Sequence, residues 1–172
     1  KSYSYMFTGD EPFKNNSEVI WGRISGEVSA YTQQSFPEFM GGYNGMGLTQ
    51  KMIDAYRMDD GRTIEEARAD GDYKEGPNDF TDGPRDFSGY HLEGGIWQMY
   101  ANREMRFYAN ILYDGAMWGY GDDNHAIAIY EPGEEGVLPG EQSPSYTDGE
   151  YWNATQTGYY MRKFLDPTYD QY

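Results

Sequence analysis

Flat aromatic rings set among glycines and hydroxyl-binding side chains are the most chemically informative residues of this sequence. Sugar rings present apolar C–H faces that stack on indole or phenol surfaces, while Asp, Asn and Arg address their hydroxyls. The run Met117-Trp118-Gly119-Tyr120-Gly121-Asp122-Asp123-Asn124 puts Trp118 and Tyr120 among glycines, with Asp122 and Asn124 close by. Such a setting reads as a binding loop on a rigid support. Tyr43 in Gly41-Gly42-Tyr43-Asn44-Gly45 and Trp152 between Tyr151 and Asn153 have similar surroundings. The candidate ligand-binding set is therefore Tyr43, Trp118, Tyr120, Asp122, Asn124 and Trp152. Packing under loops is the rival reading for each ring, and Trp21, inside a β-branched run, is assigned to the core.

Catalytic chemistry finds less support. A glycosidase-like pair needs two carboxyls roughly 5 to 10 Å apart in contrasting environments, and an abundance of carboxylates does not supply that geometry. Among imidazoles only His91 and His125 are present, and no Gly-x-Ser-x-Gly, Walker, His-Glu-x-x-His or Gly-x-Gly-x-x-Gly pattern occurs. No catalytic residue is assigned. Asp122-Asp123-Asn124 and Asp70-Gly71-Asp72 gather hard oxygen ligands of the kind calcium accepts. An EF-hand reading of the second fails at Lys74 and at Glu75, where a glycine is needed. Solvated turns are the plain reading; no cofactor is expected, with calcium left open.

Charge narrows the partners. Twenty-nine acidic residues against 13 basic give a net charge of -16, which repels phosphate backbones and leaves no basic stripe to follow a nucleic acid. Nucleic acid is excluded as a partner on that ground, and polyanionic ligands are disfavoured. Cysteine is absent, so there is no disulfide framework and no thiolate chemistry. The chain opens on Lys1-Ser2-Tyr3-Ser4, without a signal peptide, and reads as the interior of a longer polypeptide.

The elements that must position these residues are sparse. There are only five leucines, yet 18 Tyr, 8 Phe and 4 Trp, so the core must be built largely from rings that carry a polar handle. A core that thin points to a subdomain leaning on something outside it. Residues 18–24 read as a strand, and residues 31–47 as an aromatic-bearing loop. Thr49 is placed to cap a helix with Leu48, Met52, Ile53 and Tyr56 on one face, ending near Gly61. Thr63-Ile64-Glu65-Glu66 has capping-box spacing and predicts a short second helix through Arg68. Residues 70–95 carry Pro77, Pro84 and six glycines and read as a long insertion-like loop. Residues 102–106 predict a helical turn that gives way to a strand before Asp114-Gly115, residues 125–130 alternate as a short strand, and residues 158–165 form a strand ended by Asp166-Pro167.

Four segments, taken in order, resemble the SusD/RagB family of bacterial outer-membrane nutrient-binding lipoproteins. They are Asn16-Ser17-Glu18-Val19-Ile20-Trp21; Leu48 through Gly61, with Thr49-Gln50 and Asp54-Ala55-Tyr56-Arg57-Met58; Asn102-Arg103-Glu104-Met105-Arg106-Phe107-Tyr108-Ala109 with the strand leading to Trp118; and Thr157-Gly158-Tyr159-Tyr160-Met161-Arg162-Lys163-Phe164. Leu48 and Met105 stand where the family pattern has proline, which loosens two turns.

The resemblance implies that residues 1–172 form one C-terminal ligand-binding subdomain, α+β and loop-rich, of an otherwise mainly α-helical protein whose N-terminal tetratricopeptide helices are absent from this chain. It further implies a cell-surface protein of the bacterial outer membrane, lipid-anchored through an N-terminal Cys not present here. Such a protein binds oligosaccharides without catalysis and delivers them to a TonB-dependent, SusC-like transporter. Its expected partners are thus a glycan, that transporter and the rest of its own polypeptide. A peptide-binding, RagB-like role is the alternative on the same scaffold. The four matching segments are architectural and carry no ligand residue over.

Overall fold

The computed structural model describes residues 33–35, 42, 43, 45–87, 90–92, 94–118, 125–127, 129, 155, 157–163 and 165. The expected strand over residues 18–24 lies outside the described residues, as does the Asp166-Pro167 terminator.

Helix α1, Gln50–Asp54, starts where the sequence places it: Thr49 is extended at φ -82 and ψ 151, and its hydroxyl accepts from the Met52 amide at 3.4 Å. It ends early, at Asp54, not near Gly61. In a longer helix the Ile53 carbonyl would bond the Arg57 amide. Both groups are instead taken by distant residues: Arg57 N–H donates to Glu104 Oε1 at 3.1 Å, and the Ile53 carbonyl accepts from Arg103 Nη2 at 2.6 Å. Within it Met52 is 47% exposed while Ile53 is buried. The apolar face expected from spacing is therefore only partly used.

Helix α2, Ile64–Asp70, has the full capping box, with Thr63 Oγ1 accepting from the Glu66 amide and Glu66 Oε2 accepting from the Thr63 amide at 2.7 Å. It closes at Gly71, left-handed at φ 82, where the Asp72 amide reaches the Ala67 carbonyl at 2.9 Å and the Gly71 amide reaches Arg68 at 3.2 Å. Ile64, Ala67, Tyr73 and Met58 make a small second core against Met99.

Residues 70–95 are not the structureless insertion that their Pro and Gly content suggests. Strands β1, Arg85–Phe87, and β2, Tyr90–Leu92, pair antiparallel with Phe87 opposite Tyr90, so only Ser88 and Gly89 separate them in sequence. Below the hairpin, Phe80 bridges Trp97, and the Thr81 amide donates to the Ile96 carbonyl at 2.8 Å. A Cβ on Gly94 would come within 2.8 Å of the Gly83 α-carbon, so the two strands of chain close on each other only without side chains there.

A 3-10 turn over Gln98–Tyr100 leads to helix α3, Met105–Asn110, which passes directly into strand β3, Ile111–Leu112. Asn102 is left-handed at φ 55, which sets the helix start two residues later than an Asn cap would. Strand β3 pairs antiparallel with β6, Tyr160–Met161, and β4, Met117–Trp118, pairs with β5, His125–Ala126. The described residues thus hold three short helices, one helical turn at residues 33–35 and three two-stranded antiparallel sheets. That helical turn falls inside the stretch expected to be a loop.

Aromatic rings fill the main core, as the shortage of leucine requires. Tyr100 and Tyr113 lie 4.5 Å apart between centroids, Phe107 stacks on Tyr113 at 5.4 Å, and Tyr108 meets Phe107 edge-on at 5.2 Å. Burial pushes the Tyr113 hydroxyl well above its ordinary pKa. At the junction of the two cores sits Arg103, fully buried, donating to the carbonyls of Met99, Ile53 and Tyr56 and lying 4.6 Å from the Phe107 ring centroid. Among the described residues no carboxylate pairs with it, so carbonyl dipoles at the end of α1 and the ring face stand in for a counter-ion.

Candidate functional site

The three described sequence segments that carry the family resemblance converge in space. The Asp59 amide donates to the Asn102 carbonyl at 2.8 Å and the Glu104 amide to the Arg57 carbonyl at 2.9 Å. Asn110 Nδ2 donates to the Tyr56 hydroxyl at 3.0 Å, and the Tyr159 hydroxyl donates to Gln50 Oε1 at 2.8 Å. The Tyr108 hydroxyl donates to the Tyr100 carbonyl at 2.8 Å and accepts from the Arg103 amide at 3.0 Å. The bonding atoms named here are engaged within the scaffold, while Asn110 Oδ1 and Arg103 Nε are buried without a hydrogen-bond partner.

Of the six candidate ligand residues, Tyr43 and Trp118 are described, and they differ. Tyr43 is 47% exposed. Its amide donates to the Gln33 carbonyl at 2.7 Å, and the Met46 amide donates to the Gln34 carbonyl at 3.1 Å, so the ring stands on a segment tied back to the helical turn at residues 33–35. Ser35, buried, adds a contact from its hydroxyl to Met46 Sδ at 3.7 Å. A face left open on an anchored segment is what stacking needs.

Trp118 is 2% exposed and belongs to the main core, with the Arg162 guanidinium 5.6 Å from its ring centroid. It has no open face for a ligand, which corrects the expectation drawn from its glycine neighbours. Pairing of β4 with β5 places Trp118 opposite His125 in register, inside the sheet. Tyr120, Asp122, Asn124 and Trp152 lie outside the described residues.

The Asp70-Gly71-Asp72 cluster has a cation already. Arg62 donates to Asp60, Asp70 and Asp72 at 2.7, 2.8 and 2.8 Å, and these three carboxylates hold its guanidinium pKa above the ordinary range. The Arg62 amide and guanidinium hold Asp60 below the usual carboxylate value. Among the described residues no group of three or more acidic or histidine side chains is arranged to hold a metal ion. No described helix is long and apolar enough to cross a membrane.

One contact of this segment had no signal in the sequence. The carboxamide of Gln34 lies against the α-carbon of Gly45, where a Cβ would stand 1.8 Å from Oε1. A lone glutamine in an aromatic-bearing stretch has no spacing pattern to mark it, and only the fold brings it to Gly45.

The SusD family model matches residues 17–172. Among solved structures the chain is similar to a SusD-like protein from Bacteroides fragilis NCTC 9343, at 23% identity and a TM-score of 0.58, over 95% of this chain and 28% of that one. The chain therefore spans 28% of the length of that relative. No curated protein matches it.

Proposed function

The chain belongs to the SusD family, and from that premise we propose that it is the C-terminal, ligand-contacting part of a non-catalytic nutrient-binding protein of the cell surface. Its ligand is a neutral oligosaccharide or polysaccharide. The observation that carries the reading is the exposed ring of Tyr43 on a segment held by two backbone hydrogen bonds. A phenol face supplies apolar stacking to a sugar ring, and a net charge of -16 favours uncharged glycans over acidic ones. The same field disfavours nucleic acid as the stacking partner.

In the whole protein the remaining polypeptide, a set of tetratricopeptide helices, packs against this part, and a TonB-dependent transporter of the outer membrane takes the sugar onward. Anchoring is through an N-terminal lipid. Tyr120, Asp122, Asn124 and Trp152 remain proposed ligand contacts on their sequence chemistry. Titration of the intact protein with neutral glycans, acidic glycans and peptides tests this reading. Saturable binding of a neutral glycan is expected; binding of peptides alone would replace it with the peptide-binding alternative.

A further inference from the structure

We propose that the Asp82-Gly83 bond is a site of spontaneous main-chain modification, at which Asp82 converts to isoaspartate through a succinimide. The chain carries Asp-Gly at residues 60–61, 70–71, 82–83, 114–115 and 148–149, the last outside the described residues. Glycine brings no Cβ to shield the attacking amide, so all these pairs share the same local chemistry. The fold separates them.

In the reaction the Gly83 nitrogen attacks Asp82 Cγ. A C–N bond forms, the amide proton leaves with the carboxyl hydroxyl as water, and a five-membered imide closes. Water then adds back. Opening at Cγ restores aspartate, whereas opening at the main-chain carbonyl leaves the chain running through Cβ and Cγ, one carbon longer and equal in mass. No oxidant or other reagent is consumed.

Closure needs a free nitrogen and a free carboxyl, and three of the four described pairs offer neither. The Gly61 amide donates to the Met58 carbonyl at 3.0 Å, while Asp60 accepts from the Arg62 amide and Nε at 3.0 and 2.7 Å. The Gly71 amide donates to the Arg68 carbonyl at 3.2 Å, and Asp70 accepts from Arg62 Nη1 at 2.8 Å. The Gly115 amide donates to the Ile127 carbonyl at 2.7 Å, and Asp114 Oδ1 accepts from the Ile129 amide at 2.7 Å. Each of these groups must give up a hydrogen bond before it can react.

Asp82 differs on both counts. It is exposed, and among the described residues no hydrogen bond engages its carboxylate or the Gly83 amide. The residue two places on accounts for the carboxylate: the Arg62 amide holds Asp60, whereas Pro84 has no N–H to offer Asp82. The surroundings give the modification a consequence. The Thr81 amide donates to the Ile96 carbonyl at 2.8 Å and its carbonyl accepts from the Gly95 amide at 2.9 Å, while Arg85 pairs with Leu92. An added main-chain carbon between these two anchors must be absorbed at the entry to the hairpin of β1 and β2, where Gly94 already lies against Gly83.

The test is ageing of the intact protein in mildly acidic buffer, where the carboxyl is partly protonated. Isoaspartate is measured at each site by peptide mass spectrometry and by enzymatic methylation of isoaspartyl groups. It should accumulate at Asp82 about tenfold faster than at Asp60, Asp70 or Asp114, the worth of the hydrogen bonds that those pairs must give up. In urea the four rates should converge, because unfolding frees every pair. Gly83→Ala should keep the fold, since the Gly83 φ is not positive and a Cβ there meets nothing within 4 Å. By shielding the amide it should bring isoaspartate at Asp82 down to the level of the other three sites. No isoaspartate at Asp82, or formation as fast at any of the other three in the folded protein, would overturn the proposal. An Asp82 excess that persists undiminished in urea would assign the preference to sequence instead of fold and overturn it equally.

Discussion

Arg103 donates from Nη2 to the Ile53 carbonyl at 2.6 Å, across 50 residues of sequence, and so occupies an acceptor in the last turn of helix α1. The same nitrogen reaches the Tyr56 carbonyl at 3.0 Å, and Nη1 reaches Met99 at 3.0 Å. Burial lowers the Arg103 pKa, since desolvation opposes the charge, yet three carbonyls and the Phe107 face keep a guanidinium as the fitting occupant. Arg103→Ala strips partners from buried carbonyls and leaves a cavity, and should cost at least about 3 kcal/mol in chemical denaturation. Arg103→Lys keeps the charge without the fork and should fall between the two. Wild-type stability in Arg103→Ala would show that the junction is held by packing alone.

Trp118 should behave as a core residue. Trp118→Ala is expected to lower stability by about 3–5 kcal/mol, as for a large ring removed from a packed interior. Trp118→Phe, which keeps most of the volume, should bind glycans as wild type does. A Phe variant that folds normally yet loses sugar affinity would return Trp118 to the ligand surface.

Tyr73 carries a buried hydroxyl with no hydrogen-bond partner in the structure, while Arg68 and Arg103 lie 5.4 and 5.9 Å from its ring centroid. Burial pushes its pKa up from 10.0 to about 12. A raised folded-state value means the stability linked to its neutral form is complete below pH 10 and is lost as pH rises towards 12. Tyr73→Phe keeps the ring and removes the hydroxyl, so it should be as stable as wild type, or more stable by up to about 1 kcal/mol, near neutral pH. Its stability should also fall less steeply between pH 10 and 12. A loss on removing the hydroxyl would mean that it has a partner.

At the acid end, Glu66 is held below its ordinary 4.5, first by the Thr63 amide, and Asp60 below its ordinary 3.8, first by the Arg62 amide. Depressed folded-state values mean that the stability these carboxylates contribute is complete above 4.5 and 3.8 and is lost as pH falls through the lower folded values. Glu66→Gln keeps an acceptor for the Thr63 amide but cannot titrate. Melting temperature against pH should therefore fall less steeply below about pH 4.5 in Glu66→Gln than in wild type. Parallel curves would remove the capping box from the acid response.

Local chemistry was legible in the sequence, and distant chemistry was not. Thr49 and the Thr63–Glu66 pair mark helix starts because the bonds they make span only three residues. The end of α1 was not legible: the groups there bond Arg103 and Glu104, which arrive from beyond the second helix. The hairpin at residues 85–92 was masked by Pro84 and the surrounding glycines, although Phe87-Ser88-Gly89-Tyr90 has the two-residue spacing of a tight turn. Trp118 misled because glycine neighbours suggest a surface loop, whereas a core with five leucines draws in its tryptophans. The aromatic residues divide between two environments: Tyr100, Tyr108, Tyr113, Tyr159 and Tyr160 build the core, and Tyr43 alone of the described tyrosines stands out as a large exposed ring.

The most direct measurement of the central claim is calorimetric titration of the intact protein with its preferred neutral oligosaccharide, followed by chromatography of the recovered sugar. Non-catalytic binding through an exposed ring predicts saturable binding, loss of affinity in Tyr43→Ala by about 1–3 kcal/mol in analogy with base stacking on aromatics, and sugar recovered at its original length. Shortened sugar, or affinity unmoved by Tyr43→Ala, would contradict it.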